Sequence, residues 1–270
     1  MRTELTAPAK LTLSLRVTGV RPDGYHLLES EMVTLDLADT LVMDDDATGL
    51  DVETAWPEGM DPRRGPTVGA VADNLVTLAL AATQRTAGVH LVKRIPPGAG
   101  LGGGSADAAA VLRWAGCTDL SVAAGLGADI PFCLIGGRAM VSGIGEVLAP
   151  LPYEQRSFVL LLPPFGVETV AVYQSWDALK ASGWMGVGVG VRDIQTNDLE
   201  EAAIAVEPRL EVWRQALQDA TGQRPRLAGS GSTWFVEGTT TSLGVEGRSW
   251  LEVEGQRAPL VATSTSSAVG

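Results

Sequence analysis

Leu11, Leu13, Leu15 and Val17 alternate with Lys10, Thr12, Ser14 and Arg16, the period of a strand that buries one face and shows Lys10, Thr12 and Ser14 on the other. A turn-rich stretch at 19–24 follows. Beyond it Val33, Leu35 and Leu37 mark the inner side of a second alternating run, so the pattern predicts an antiparallel pair. Residues 44–69 are acidic, then rich in Pro and Gly, and read as strand fragments joined by exposed loops. Leu75, Leu78, Ala79 and Ala82 fall at helical spacing, with Asp73 as the expected N-cap and Gly88 as the stop. A strand is predicted over 89–95, ended by Pro96-Pro97, then a glycine loop at 98–104 and an Ala-rich helix over 105–115. A short helix over 120–127 and strands over 130–148 complete this half.

Pro150 and Pro152 flank a change of pattern, and 158–162 is a continuous apolar run of the kind buried on both faces. Val172, Trp176 and Leu179 form one helix face, and Leu210, Trp213 and Leu217 form another after the break at Pro208. Phe235-Val236 and residues 250–253 predict further strands, and the Ser/Thr-rich last residues are expected to fray. The order of elements points to an α+β chain of two domains, 1–150 and 151–270.

Composition narrows the function. With 270 residues, 45% of them apolar, the chain can bury a full core. Lys and Arg number 20 against 32 Asp and Glu, a formal charge of −12 that repels a polyanionic backbone, so nucleic acid is not an expected partner. Apolar runs such as 158–164 are far shorter than the roughly 20 residues of a spanning helix, and the first residues lack a signal-peptide core. No membrane partner and a cytoplasmic address are expected. Cys117 and Cys133 read as reduced thiols, and with His26 and His90 the only histidines, a zinc site is not expected.

The strongest chemical signal lies at 95–110, IPPGAGLGGGSADAAA. Five of the seven residues at 98–104 are glycine, which removes the Cβ atoms that would hold an anion away from backbone N–H groups. The following helix aims its unsatisfied N–H groups and positive dipole end at the loop, so a phosphate is the expected ligand. Neither common phosphate loop fits. Asp119 stands beside no strand, where a dinucleotide fold would require one, and Gly104 occupies the place of a Walker lysine.

This segment resembles the second motif of the GHMP small-molecule kinases. Ala7-Pro8-Ala9-Lys10 is similar to their first motif, and Leu227-Ala228-Gly229-Ser230-Gly231-Ser232-Thr233 to their glycine-rich third. Within the family, Arg21-Pro22-Asp23-Gly24-Tyr25-His26 and Gly127-Ala128-Asp129-Ile130-Pro131-Phe132 resemble the branch that acts on a cytidyl-diphosphate sugar alcohol. The resemblance implies a two-domain fold, an N-terminal domain like domain 2 of ribosomal protein S5 and a C-terminal ferredoxin-like α/β sandwich. It implies ATP-dependent phosphorylation of the 2-hydroxyl of that alcohol, with Mg2+, by a monomer or homodimer. Other acceptors, of homoserine or mevalonate type, and an inactive nucleotide-binding relative are the alternatives.

Carried over residue by residue, the resemblance makes Asp129 the general base and Lys10 its electrostatic partner. Pro97, Gly98, Gly100, Leu101, Gly102, Gly103, Gly104 and Ser105 become the nucleotide loop. Asn74 matches a position near the ATP base and equally suits a helix cap. Ser105 is a candidate magnesium ligand or a helix cap, with capping preferred. Tyr25 and His26 resemble a cytosine-recognising pair, and Thr169, Gly229 and Gly231 resemble contacts to the substrate diphosphate. Thr12, a candidate substrate contact, stands where the family usually has asparagine, and its hydroxyl is shorter than an amide and offers fewer bonds. The stretch between Ala110 and Gly127 is shorter than in relatives, and Trp234 is bulkier than the third motif leads one to expect.

Overall fold

The computed structural model describes residues 1–60, 73–183 and 196–267. Strand β1 (Arg2–Val20) pairs antiparallel with β2 (His26–Asp44) along its whole length, in keeping with the alternation. The expected single inner face is nevertheless broken. Register irregularities between Pro8 and Lys10 and between Thr12 and Ser14 turn the strand over, since one extra residue exchanges the two sides of a strand with period two. Ala7 therefore packs in one apolar cluster, Ala9, Leu11 and Leu13 in a second, and Leu15 in a third. The polar side is covered too, with Lys10 only 5% exposed and Thr12 1%.

The next elements are β3 (Gly49–Thr54), α1 (Leu75–Ala82) and β4 (Gly88–Lys93). The expected loops at 61–69 lie outside the described residues. Asn74, not Asp73, caps α1, because its Oδ1 accepts from the Val76 N–H at 3.0 Å. The helix closes at Thr83, and Gly88 instead opens β4. Helices α2 (Gly103–Trp114), α3 (Leu120–Leu126) and α4 (Ile130–Ile135) follow. The strand expected from residue 130 onward is helix as far as 135. A short apolar run does not distinguish the two, and Pro131 at the first helical positions favours helix. Strands β5 (Arg138–Gly143) and β6 (Val147–Pro150) complete a six-stranded sheet ordered β3-β4-β2-β5-β6, with β1 on β2.

A second sheet forms from β7 (Ser157–Leu161), β8 (Arg226–Leu227), β9 (Trp234–Glu237), β10 (Trp250–Val253) and β11 (Gln256–Ser264), in the order β10-β11-β7-β9-β8. Helices α5 (Thr169–Ala181), α6 (Glu200–Val206) and α7 (Arg209–Thr221) pack on it through Val172, Trp176, Leu210, Trp213 and Leu217. Among the described residues, the Ser/Thr-rich segment expected to fray is held as far as Thr265. β11 pairs with β7 from Leu260 to Ser264, and Thr265 bridges Leu35 of the first sheet. The sheets meet through an apolar cluster in which Leu11, Leu13, Val33 and Leu35 face Phe158, Leu160 and Phe235.

Candidate active site

The outer edge of β1 is where the three glycine-bearing and cationic motifs converge. The Lys10 N–H donates to the Leu101 carbonyl at 2.9 Å, which ties the strand to the glycine loop. The Gly98 carbonyl accepts from Ser232 at 3.2 Å and from Val167 at 3.3 Å, and Ala99 accepts from Thr233 at 3.1 Å. Loop 98–102 and loop 228–233 are thereby held back to back. A Cβ on Gly100, whose φ is +81°, would lie 2.1 Å from the Ala228 oxygen, and one on Gly231 would lie 2.1 Å from the Gly100 nitrogen. These two glycines serve the contact between loops, a requirement that the phosphate argument alone did not reveal.

Above that contact stand Lys10 and Asp129. The helix-turn-helix of α3 and α4 places Asp129 just before Ile130 without using its carboxylate as a cap. Its Oδ2 therefore reaches Lys10 Nζ at 3.1 Å, with the ammonium side chain 7% exposed and the carboxylate 32%. Lys10 Nζ also donates to Thr12 Oγ1 at 3.1 Å. A Cβ on Gly102 would lie 2.7 Å from Lys10 Cγ, and one on Gly229 3.7 Å from Lys10 Nζ, so both glycine motifs flank the ammonium. Cys133, one helical turn further on, is buried and its thiol is pushed up to about 12, chiefly by burial and then by the Asp129 charge. It is an inert packing group.

The cap position of α2 belongs to Gly102, in the left-handed region at φ 67°, with no side-chain cap bond. Ser105 lies inside the first turn, which corrects its expected capping role and leaves the helix end open toward an anion. Pro97 and Gly98 lead into this loop, and Gly103 and Gly104 form the first helical positions. Beneath it Lys93 Nζ bonds Asp39 and, at 2.6 Å, Asp107 Oδ2, all three side chains buried. A Cβ on Gly103 would come within 3.1 Å of that ammonium. Burial pushes the Asp107 carboxyl up to about 7 against the pull of Lys93, and its Oδ1 has no partner among the described residues. Nothing in the sequence pointed to this triad, because its members are 14 and 54 residues apart on different elements.

At the other end of the cleft, Tyr25 follows a 21–24 turn and is 59% exposed. His26 is packed against α5. Its ring lies 4.6 Å from that of Tyr173 and 5.5 Å from that of Trp176, and its Nε2 is 2.8 Å from Asp177 Oδ1. Burial, with the Asp129 charge second, raises the Tyr173 hydroxyl above its usual range, which keeps it protonated. Thr169 opens α5 and its Oγ1 is 2.9 Å from Ser230 Oγ, so it joins Gly229 and Gly231 at the third motif. Asn197 holds that motif from behind, with Nδ2 donating to the carbonyls of Gly229 at 2.7 Å and Leu227 at 3.0 Å. Sequence reasoning passed over Tyr173, Asp177 and Asn197. The first two stand on α5 one position beyond Val172 and Trp176, beside the face that the apolar spacing marks and not on it, and an Asn-Asp pair reads as a turn.

A buried ammonium paired with a carboxylate, beside an open helix end and two glycine loops, supplies the charge and the backbone donors that a phosphoryl group would need. The model of the GHMP kinases N terminal domain matches residues 70–137. The chain is 39% identical over 257 residues to 4-diphosphocytidyl-2-C-methyl-D-erythritol kinase of Ruegeria pomeroyi, covering 87% of this chain and 88% of that one. The enzyme of the same name from Paracoccus denitrificans is 38% identical, over 85% of this chain and 84% of its own. A crystal structure of 4-(cytidine 5'-diphospho)-2C-methyl-D-erythritol kinase superposes with a TM-score of 0.68 at 30% identity, over 98% of this chain and all of that one. The mevalonate kinase of Methanococcus jannaschii shares the fold, at a TM-score of 0.60 and 10% identity. The chain belongs to the 4-diphosphocytidyl-2-C-methyl-D-erythritol kinase family of the GHMP kinases. Among the described residues no helix is long and apolar enough to cross a membrane.

Proposed function

We propose that this chain transfers the γ-phosphoryl group of ATP to the 2-hydroxyl of 4-diphosphocytidyl-2-C-methyl-D-erythritol. The observation that carries the reading is the 3.1 Å pair of Lys10 and Asp129 at the mouth of the glycine loop. Phosphoryl transfer needs positioning and charge neutralisation more than covalent help. Asp129 accepts the proton of the substrate hydroxyl as that oxygen attacks, and Lys10 stabilises the negative charge that develops on it. The N–H groups of 98–104 and the open end of α2 hold the ATP phosphates, and Asn74, already capping α1 through Oδ1, has its amide donor to offer the base. Thr12 turns its hydroxyl to Lys10 and so helps place the acceptor. Tyr25 and His26 receive the cytosine, and Thr169, Gly229 and Gly231 the diphosphate.

Magnesium fits this donor set as a phosphate-borne ion. Among the described residues no group of three or more His, Cys, Asp or Glu is arranged to hold a metal by itself. Mg2+ keeps waters and takes one or two protein oxygens together with nucleotide phosphates, and Ser105, in the first turn of α2, would supply such an oxygen. Bound there, it would neutralise phosphate charge. The sheets divide the chain at 150, β1 to β6 before and β7 to β11 after, which supports domains 1–150 and 151–270. All the motifs meet within one chain, so a monomer or homodimer suffices. Two free cysteines and an ATP co-substrate suit the cytoplasm.

The test is incubation of purified protein with ATP, magnesium and 4-diphosphocytidyl-2-C-methyl-D-erythritol, with the 2-phosphate read by mass spectrometry. Homoserine and mevalonate serve as competing acceptors, and product from one of these alone refutes the substrate assignment. Asp129→Asn cannot accept a proton, so kcat should fall by about 10²–10⁴ while nucleotide binding persists. Normal turnover in that variant rules out Asp129 as the base.

A further inference from the structure

We propose that Asp177 is a positioning residue that fixes the ring orientation and tautomer of His26, and through it the choice of cytosine over uracil; the second half rests on the cytidyl reading above. Tyr173, Trp176 and Asp177 stand at i, i+3 and i+4 on α5, so one helix face presents two rings and a carboxylate together. His26, at the start of β2 in the other half of the chain, inserts its imidazole into that face. The Tyr173 ring lies tilted against it at 4.6 Å, the Trp176 ring meets it edge-on at 5.5 Å, and its side chain is only 10% exposed. Its Nε2 meets the Asp177 Oδ1 at 2.8 Å.

A carboxylate has lone pairs and no proton to give, so Nε2 carries the hydrogen in this contact. In the neutral ring Nδ1 is then the lone-pair acceptor. At position 4 of the pyrimidine the exocyclic amine of cytosine donates and the oxygen of uracil accepts, while at N3 the roles are reversed, so the His26 acceptor nitrogen is assigned to position 4. An acceptor nitrogen there pairs with the amine and faces the oxygen with both lone pairs unpaired. Without Asp177 the two neutral tautomers compete, and the ring is free to present an N–H to uracil. Asp177 itself is half exposed at the rim, so it acts through His26 and not by touching the reacting atoms.

Two measurements on the full chain decide this. Nitrogen-15 NMR of the histidine rings, without ligand, should show His26 protonated at Nε2 in the wild type and as a mixture in Asp177→Ala. Asp177→Asn, whose amide oxygen still accepts, should restore the wild-type pattern. In steady-state assays Asp177→Ala should raise KM for the cytidyl substrate about ten-fold, with a much smaller change in kcat, and reduce the preference over the uridyl analogue by a similar factor. A wild-type ring protonated at Nδ1, or a KM and base preference untouched in Asp177→Ala, overturns the proposal. Should Asp177→Ala fail to fold, the wild-type spectrum and Asp177→Asn still decide the question. Failure of the wild type to phosphorylate the cytidyl substrate would instead strike the functional reading, and the NMR result would stand apart from it.

Discussion

Alanine at Gly100 would put a methyl carbon 2.1 Å from the Ala228 carbonyl oxygen, 2.9 Å from Gly231 Cα and 3.0 Å from Gly231 nitrogen. All three neighbours are backbone, so no side chain can swing away. The same residue sits at φ +81°, where an L side chain costs about 1–2 kcal/mol. Forcing the two loops apart adds about 1–3 kcal/mol, the usual cost of overpacking. Gly100→Ala should therefore destabilise the fold by about 2–5 kcal/mol. Gly104, four residues on, is the internal control. It is helical and exposed, and its added methyl would meet nothing nearer than Leu75 Cδ1 at 3.5 Å. Alanine there should be neutral or stabilising by up to about 1 kcal/mol through helix propensity. Urea unfolding of the two variants beside the wild type measures the difference. Equal losses at both positions, or none at Gly100, would refute the claim that the first glycine exists for the contact between loops.

Asp107, with an ordinary value of 3.8 raised to about 7, keeps a proton in the folded protein that the unfolded chain has released. Its contribution to stability is full below about pH 4 and is lost as pH rises through about 7. Asp107→Asn abolishes this titration, so urea unfolding from pH 4 to 7 should show the variant gaining on the wild type; parallel curves would count against a raised carboxyl. Asn197→Ala removes the donors to Gly229 and Leu227 and should lower stability by about 1–3 kcal/mol, read as a drop in Tm together with a higher KM for the acceptor alcohol. Deleting 256–270 takes out a strand paired on both edges, with β10 on one side and β7 on the other. The truncated chain should lose its cooperative unfolding transition, whereas a frayed tail would leave Tm unchanged.

The paired first strands, the glycine loop before an Ala-rich helix, and the helix faces of Val172 with Trp176 and of Leu210 with Trp213 were legible in the sequence. Each is a local matter of side-chain period or backbone freedom, and a window of residues contains it. The ammonium at Lys10 and the carboxylate at Asp129 were marked by motif resemblance, but neither type nor spacing dictates a 3.1 Å contact between residues 119 positions apart. That contact needs the register shift after Pro8 and the helical turn at 130, both of which local pattern missed. The pairing of Gly100 with Gly231, the burial of Lys93 between Asp39 and Asp107, and the seat of His26 against α5 arise only when distant segments pack. Burial and close approach are properties of the assembled fold, because they depend on what lies across a contact and not on what lies beside it in the chain.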